Sequence, residues 1–135
     1  MKDDVFEATL DLLDRLVRQG TQKEVNLNGN GESLLDPKIY DRIAKVKKIM
    51  SNYNPVQLCT NGTLLDKSVA RALKLSGIDR VDVSPHSIKH TRKAIFLLQG
   101  AGIGGVVNYG VIGQSHNWAG QLEPEADLRV DAHLG

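Results

Sequence analysis

The side chains able to do chemistry gather in four short segments: Asn28-Gly29-Asn30-Gly31-Glu32, Thr60-Asn61-Gly62-Thr63, Ser84-Pro85-His86-Ser87 and Asn108-Tyr109. Glu32 brings a carboxylate that can pair with an ammonium group. The hydroxyls and carboxamides around it can donate and accept hydrogen bonds. The glycines permit positive φ and let backbone come close to a ligand. A polar, glycine-rich loop is ordinary at any one place, whereas four at regular intervals are what a ligand rim needs. The first segment lacks the lysine of a P-loop and the spacing of the dinucleotide fingerprint, so a phosphate cradle is poorly supported. No Ser-His-Asp order can be argued, and no catalytic residue is assigned.

Metal chemistry has less to work with. His86 and His90 are four apart, a spacing that can bind metal on a helix. His86 falls ahead of the predicted helix, however, and no carboxylate partner is obvious, so no metal site is assigned. Cys59 is the single cysteine. It falls inside a predicted strand and reads as a small, buried, inert hydrophobe.

The elements that must position these segments follow from periodicity. Phe6, Leu10, Leu13 and Val17 recur at helical spacing, which predicts a helix over 4–18 with Asp4 and Glu7 as a capping box and Gly20 as its stop. Val25-Asn26-Leu27-Asn28 alternates as a strand. Asp36-Pro37 predicts a helix start, and Ile39, Ile43, Val46 and Met50 form the buried stripe. The pattern then repeats. Val56 to Thr60 predicts a strand. A helix follows, capped by Asp66, striped by Val69, Ala72 and Leu73 and stopped by Gly77. Ile78 to Ser84 predicts a third strand, with Val81 and Val83 on one face. Residues 88–99 predict a helix through Ala94, Ile95 and Leu98, ended by Gly100 and Gly102. Val106 to Ile112 predicts a fourth strand, and the tail beyond Ser115 reads as loop.

Units of about 25–30 residues are the size of a strand–helix crossover. Units in series give a parallel α/β sheet with right-handed connections. That sheet could be open and doubly wound or part of a barrel, and periodicity does not choose. Either way ligands bind beyond the carboxyl ends of the strands, where all four polar segments fall.

Composition sets the broad class. The 135 residues suit one domain, 41% apolar and 24% charged, with a formal net charge of +1. There is no basic stripe and few aromatic residues, so nucleic acid is not an expected partner. Lys45, Lys47 and Lys48 read as a solvated helix face near a C-terminus, and Asp79, Arg80 and Asp82 as a solvated edge. No apolar run reaches membrane-spanning length, and no membrane partner is expected. The N-terminus does not resemble a signal peptide. One cysteine excludes a disulfide within the chain, and the cytoplasm is the expected compartment. Asn61-Gly62-Thr63 matches a glycosylation acceptor by chance on this reading.

Three segments resemble a known family. Gly29-Asn30-Gly31-Glu32-Ser33-Leu34-Leu35-Asp36-Pro37 resembles the Gly-Gly-Glu-Pro-Leu-Leu segment of radical S-adenosylmethionine (SAM) enzymes. Thr60-Asn61-Gly62-Thr63-Leu64-Leu65 resembles the Thr-Asn-Gly-Thr-Leu-Leu that follows their next strand. Val81-Asp82-Val83-Ser84-Pro85-His86-Ser87 is similar to the strand after that. Together, in order and at the expected intervals, they cover residues 24 to about 112.

The resemblance implies a partial (β/α)6 TIM-like barrel and reductive cleavage of SAM by a [4Fe–4S] cluster, giving a 5′-deoxyadenosyl radical. It implies a cofactor site made by Asn28, Gly29, Asn30, Gly31, Glu32, Thr60, Asn61, Ser84, His86 and Asn108. In it, Asn30, Gly31 and Glu32 hold the methionine amino group, Thr60 and Asn61 lie beside the ligand, Ser84 meets the ribose or carboxylate, and Asn108 lines the rim. There are two departures. Ser33 stands where proline is usual, and the Cys-x3-Cys-x2-Cys motif that holds the cluster is absent. The helix over 4–18 matches the one after that motif, so the chain is expected to be an internal fragment, without a cluster and inactive in isolation. His116-Asn117-Trp118-Ala119-Gly120 resembles a segment in members with a cysteine-rich C-terminal extension, which often act on peptides or proteins. The expected organisation is a partial barrel over 1–113 and a tail over 114–135 leading to an extension. Self-association through exposed strand edges is expected. The competing expectation is a stand-alone small α/β ligand-binding module without redox chemistry.

Overall fold

Short strands, apolar on one face, alternate with amphipathic helices along the chain. The computed structural model describes residues 1–28, 31–50, 54–84 and 87–108. The elements are α1 (Asp3–Arg18), β1 (Val25–Asn26), a 3-10 turn (Ser33–Leu35), α2 (Ile39–Ile49), β2 (Val56–Thr60), α3 (Lys67–Ser76), β3 (Arg80–Val83), α4 (Ile88–Gly100) and β4 (Gly105–Asn108).

The four strands form one sheet in the order β1-β2-β3-β4, and every pair is parallel. Val25 lies opposite Val56, Leu58 opposite Val81, and Val81 opposite Val106. The order is sequential, without the reversal that marks a doubly wound sheet. It is the order of a barrel wall. Consecutive helices pack on one another, α1 on α2, α2 on α3 and α3 on α4. Sequential right-handed crossovers put such helices in one layer on one face.

The core lies between that layer and the sheet. Val56, Leu58, Val81, Val83 and Val106 meet Ile43, Leu73 and Leu98, all of them essentially inaccessible to solvent. Burial of each such side chain is worth about 1.5–3 kcal/mol. The predicted stripes of α2 and α4 are buried as expected. In α3 the core face is Ala70 and Leu73, while Val69 and Ala72 are half-buried. No described helix is long and apolar enough to cross a membrane.

Several boundaries differ from expectation, each for a local reason. α1 begins at Asp3 without a capping box, because the Asp4 carboxylate accepts the N–H of Val5 instead. α2 begins at Ile39, two residues past Pro37. The Asp36 carboxylate is spent on the Lys38 N–H at 2.9 Å and the Arg42 guanidinium at 2.9 Å. Buried Arg42 also reaches Asp3 at 3.2 Å and stacks over Phe6 at 4.9 Å, tying α1 to α2. β3 starts at Arg80, later than expected, because the Ile78 N–H turns back to the Leu73 carbonyl of α3 at 3.3 Å. The expected tail over 114–135, and the end of the predicted fourth strand, lie outside the described residues.

Two charged groups are not the solvated faces they resemble. Asp82 is 2% exposed, with Arg80 Nε at 2.9 Å. Lys47 is half-buried and pairs with Asp79 at 2.7 Å, and the same carboxylate accepts the Val56 N–H at 2.8 Å. That arrangement seals the start of β2 against the start of β3.

Candidate functional site

The parallel register brings the carboxyl ends of the strands together. β2 ends at Thr60, β3 at Val83 and β4 at Asn108. The Ser84 N–H donates to the Thr60 carbonyl at 2.9 Å, which carries the β2–β3 pairing one residue beyond β3. β1 ends early as a strand, yet Leu27 still donates to the Gln57 carbonyl at 2.7 Å. The Asn28 carboxamide oxygen then accepts the Cys59 N–H at 2.7 Å.

Glu32 crosses from the segment after β1 to the end of β2. Its carboxylate accepts the Thr60 hydroxyl on one oxygen and the Asn61 N–H at 3.2 Å on the other. An ionised carboxylate has about four acceptor positions, so two hydrogen bonds leave capacity for a further donor. Glu32 is half-buried, and Gly31 beside it is exposed with φ +92° and nothing within 4 Å of where a Cβ would stand. That is open backbone a ligand can approach.

The turn after β2 is built to hold its shape. Gly62 has φ +82°, and a Cβ there would stand 2.8 Å from the Ala94 Cβ on α4. Only glycine fits such a place. The Gly62 N–H donates to Thr60 Oγ1 at 3.1 Å, and Asn61 Oδ1 accepts the Thr63 N–H at 2.9 Å and hydroxyl at 2.7 Å. Asp66 caps α3 directly afterwards. The Val69 N–H and then the Ser68 hydroxyl hold its carboxyl below the ordinary range.

The structure thus brings Asn28, Gly31, Glu32, Thr60, Asn61 and Ser84 to one rim. Asn28 uses its acceptor on the sheet. Ser84 Oγ lies 3.1 Å from Cys59 Sγ. Cys59 is half-buried on this polar side of β2, not sealed in the core as its strand position suggested. Gly29, Asn30 and His86 lie outside the described residues, and Asn108 is placed at the end of β4 by its backbone. Among the described residues no three His, Cys, Asp or Glu side chains gather as a metal site. Sequence reasoning missed Ser87, which caps α4 through the His90 N–H at 3.2 Å. Its signal was present: a serine immediately before an apolar-periodic run. An apolar groove of about 660 Å3 runs from the rim at Gly31 and Glu32 along β1 and beneath α1.

Comparisons with known proteins bear on the fold and the family. The solved structure of BtrN in complex with AdoMet and 2-DOIA is similar to this chain, with a TM-score of 0.62 and 22% sequence identity. The likeness covers 80% of this chain and 43% of that one, so this chain spans less than half the length of that relative. No curated protein matches the chain. The family model described as the radical SAM superfamily matches residues 1–108. On that match, over most of its length, the chain belongs to the radical SAM superfamily.

Proposed function

We propose that this chain forms the SAM-binding part of an iron–sulfur enzyme of the superfamily, with Glu32 as acceptor for the methionine ammonium group. One observation carries this: the Glu32 carboxylate is held at the rim by the Thr60 hydroxyl and the Asn61 N–H, with acceptor capacity to spare. A cation is the natural third partner of such a carboxylate. Gly31 leaves the adjoining backbone open to the ligand. Asn61 and Ser84 flank the same rim, and on this reading Ser84 meets the ribose or carboxylate.

The activity proposed for the whole enzyme is generation of a 5′-deoxyadenosyl radical from SAM, with a peptide or protein as the substrate class suggested by His116–Gly120. This chain's own residues bind and orient the amino acid end of SAM. The iron–sulfur cluster is another matter. Its thiolate ligands number three in the family motif, and the chain holds one cysteine. Its donor set does not fit the cluster. On this reading the isolated chain is catalytically inactive and resides in the cytoplasm. That same donor set favours a second reading, a stand-alone α/β module that binds ligand without redox chemistry.

Two measurements test this. The first is an NMR titration with SAM. Shifts confined to the amides near Glu32, Asn61 and Ser84, weakened by Glu32→Ala, are expected. Shifts elsewhere, or shifts indifferent to Glu32→Ala, overturn the site. The second is anaerobic reconstitution followed by iron and sulfide analysis. Substoichiometric iron is expected, and one [4Fe–4S] cluster per chain overturns the reading of the donor set.

A further inference from the structure

We propose that Thr60 is a positioning residue, which never touches the ligand but fixes the Glu32 carboxylate that does. The proposal rests on the SAM reading of Glu32. It differs from the role the family resemblance implies, where Thr60 lies beside the ligand.

Burial argues first. Thr60 is 1% exposed, the most enclosed polar group at the rim, and has no surface left to offer a ligand. Its hydroxyl has one proton and two lone pairs. The Gly62 N–H, 3.1 Å away, can only donate, so the hydroxyl accepts there. Its proton is then left for Glu32, whose carboxylate oxygen is the partner on its other side. The direction of both bonds follows from the donor inventory alone.

Stiffness argues second. Threonine is β-branched, and its χ1 is restricted on a strand. Thr60 ends β2, whose alternate residues Val56 and Leu58 are locked in the core on the same face. The hydroxyl is therefore placed by the sheet itself. The far side of the hydroxyl rests on the Gly62 turn, which is wedged against Ala94 of α4. Glu32 itself sits on a segment after β1, with the short 3-10 turn Ser33–Leu35 following. That segment needs an external reference to hold a carboxylate in place. Without Thr60 the carboxylate keeps the Asn61 N–H alone and can swing about it.

The test is selectivity, not affinity alone. The probes are SAM and its sulfonium analogue lacking the α-amino group, titrated by NMR into the whole chain. A charge-assisted contact predicts that the wild type prefers SAM by about tenfold or more. Thr60→Val keeps the shape, and its preference should fall to near unity with the analogue's affinity little changed. Thr60→Ser should restore most of it. A merely structural role weakens both ligands alike and leaves the ratio standing, which would overturn the proposal. Should Thr60→Val not fold, exchange of the Thr60 hydroxyl proton in the wild type decides. Protection from exchange is expected, and free exchange overturns it. A wild type with no preference for SAM overturns the reading of Glu32 instead, so the two failures are distinguishable.

Discussion

The Asn28 carboxamide oxygen stands in for a strand carbonyl, accepting the Cys59 N–H at 2.7 Å where backbone pairing between β1 and β2 has run out. A side chain does the ladder's work for one more residue. It thereby holds the end of β1 beside the end of β2.

Asn28→Ala should loosen that end. The Cys59 N–H loses its acceptor, and an orphaned N–H costs about 1–3 kcal/mol where water cannot replace the partner. Asn28 is itself exposed, so the lower end is expected. Urea unfolding should show a shift near 1 kcal/mol, with faster hydrogen exchange at the Cys59 amide. Asn28→Asp keeps the acceptor and should recover the protection. Unchanged exchange in the alanine variant would contradict the bond.

Gly62→Ala should cost more. The added Cβ meets the Ala94 Cβ at 2.8 Å, and the φ of +82° disfavours any L side chain. Strain of this kind is of order 1–3 kcal/mol. Adding Ala94→Gly removes the clash but not the backbone strain, so the double variant should regain part of the loss. Full recovery would show that contact alone matters, and no recovery that the backbone alone does.

How much of this was legible beforehand depends on how local each feature is. Asp66 and Gly77 mark the two ends of α3 through hydrogen bonds within their own turn, and both were readable from residue type and spacing. The burial of Asp82 was not. It depends on Arg80 and on the pairing of Cys59 with Asp82 across strands, which periodicity of one segment cannot show. Asp36-Pro37 misled for a related reason, since the Asp36 carboxylate also serves Arg42, six residues on. The Glu32–Thr60 contact spans 28 residues. The order of polar segments along a parallel sheet, and the resemblance that puts both residues in one cofactor site, are what hint that the two meet.

Acid should probe the cap of α3. The Asp66 carboxyl is held below its ordinary value of 3.8, first by the Val69 N–H and then by the Ser68 hydroxyl. A carboxyl whose folded pKa is depressed contributes stability that is complete above the unfolded pKa. That contribution disappears as pH falls through the folded value. Asp3, lowered by its hydrogen bonds to Lys38 and Arg42, acts in the same direction. Asp66→Asn keeps a capping side chain without a titrating group. Its stability should therefore fall less steeply than the wild type's as pH drops below about 4. Parallel acid limbs in thermal melts would show that the Asp66 charge is not linked to folding.

The outer edge of β1 should make the chain associate. Val25 and Leu27 donate toward β2, to the Pro55 and Gln57 carbonyls at 3.0 and 2.7 Å. Backbone groups alternate along a parallel strand, so the N–H and C=O of Asn26 face the other way. Among the described residues no strand lies on that side. The apolar groove beneath α1 opens along the same edge, with Leu10, Leu13, Leu16 and Leu27 in its walls. An unpaired edge beside apolar surface is a template for pairing with a further strand. Static light scattering over a concentration series should show a rising mean mass. Asn26 is exposed, and a lysine on an edge strand opposes pairing, so Asn26→Lys should lower that mass without lowering the melting temperature. A wild-type chain that stays monomeric throughout would show that this edge and groove are already covered.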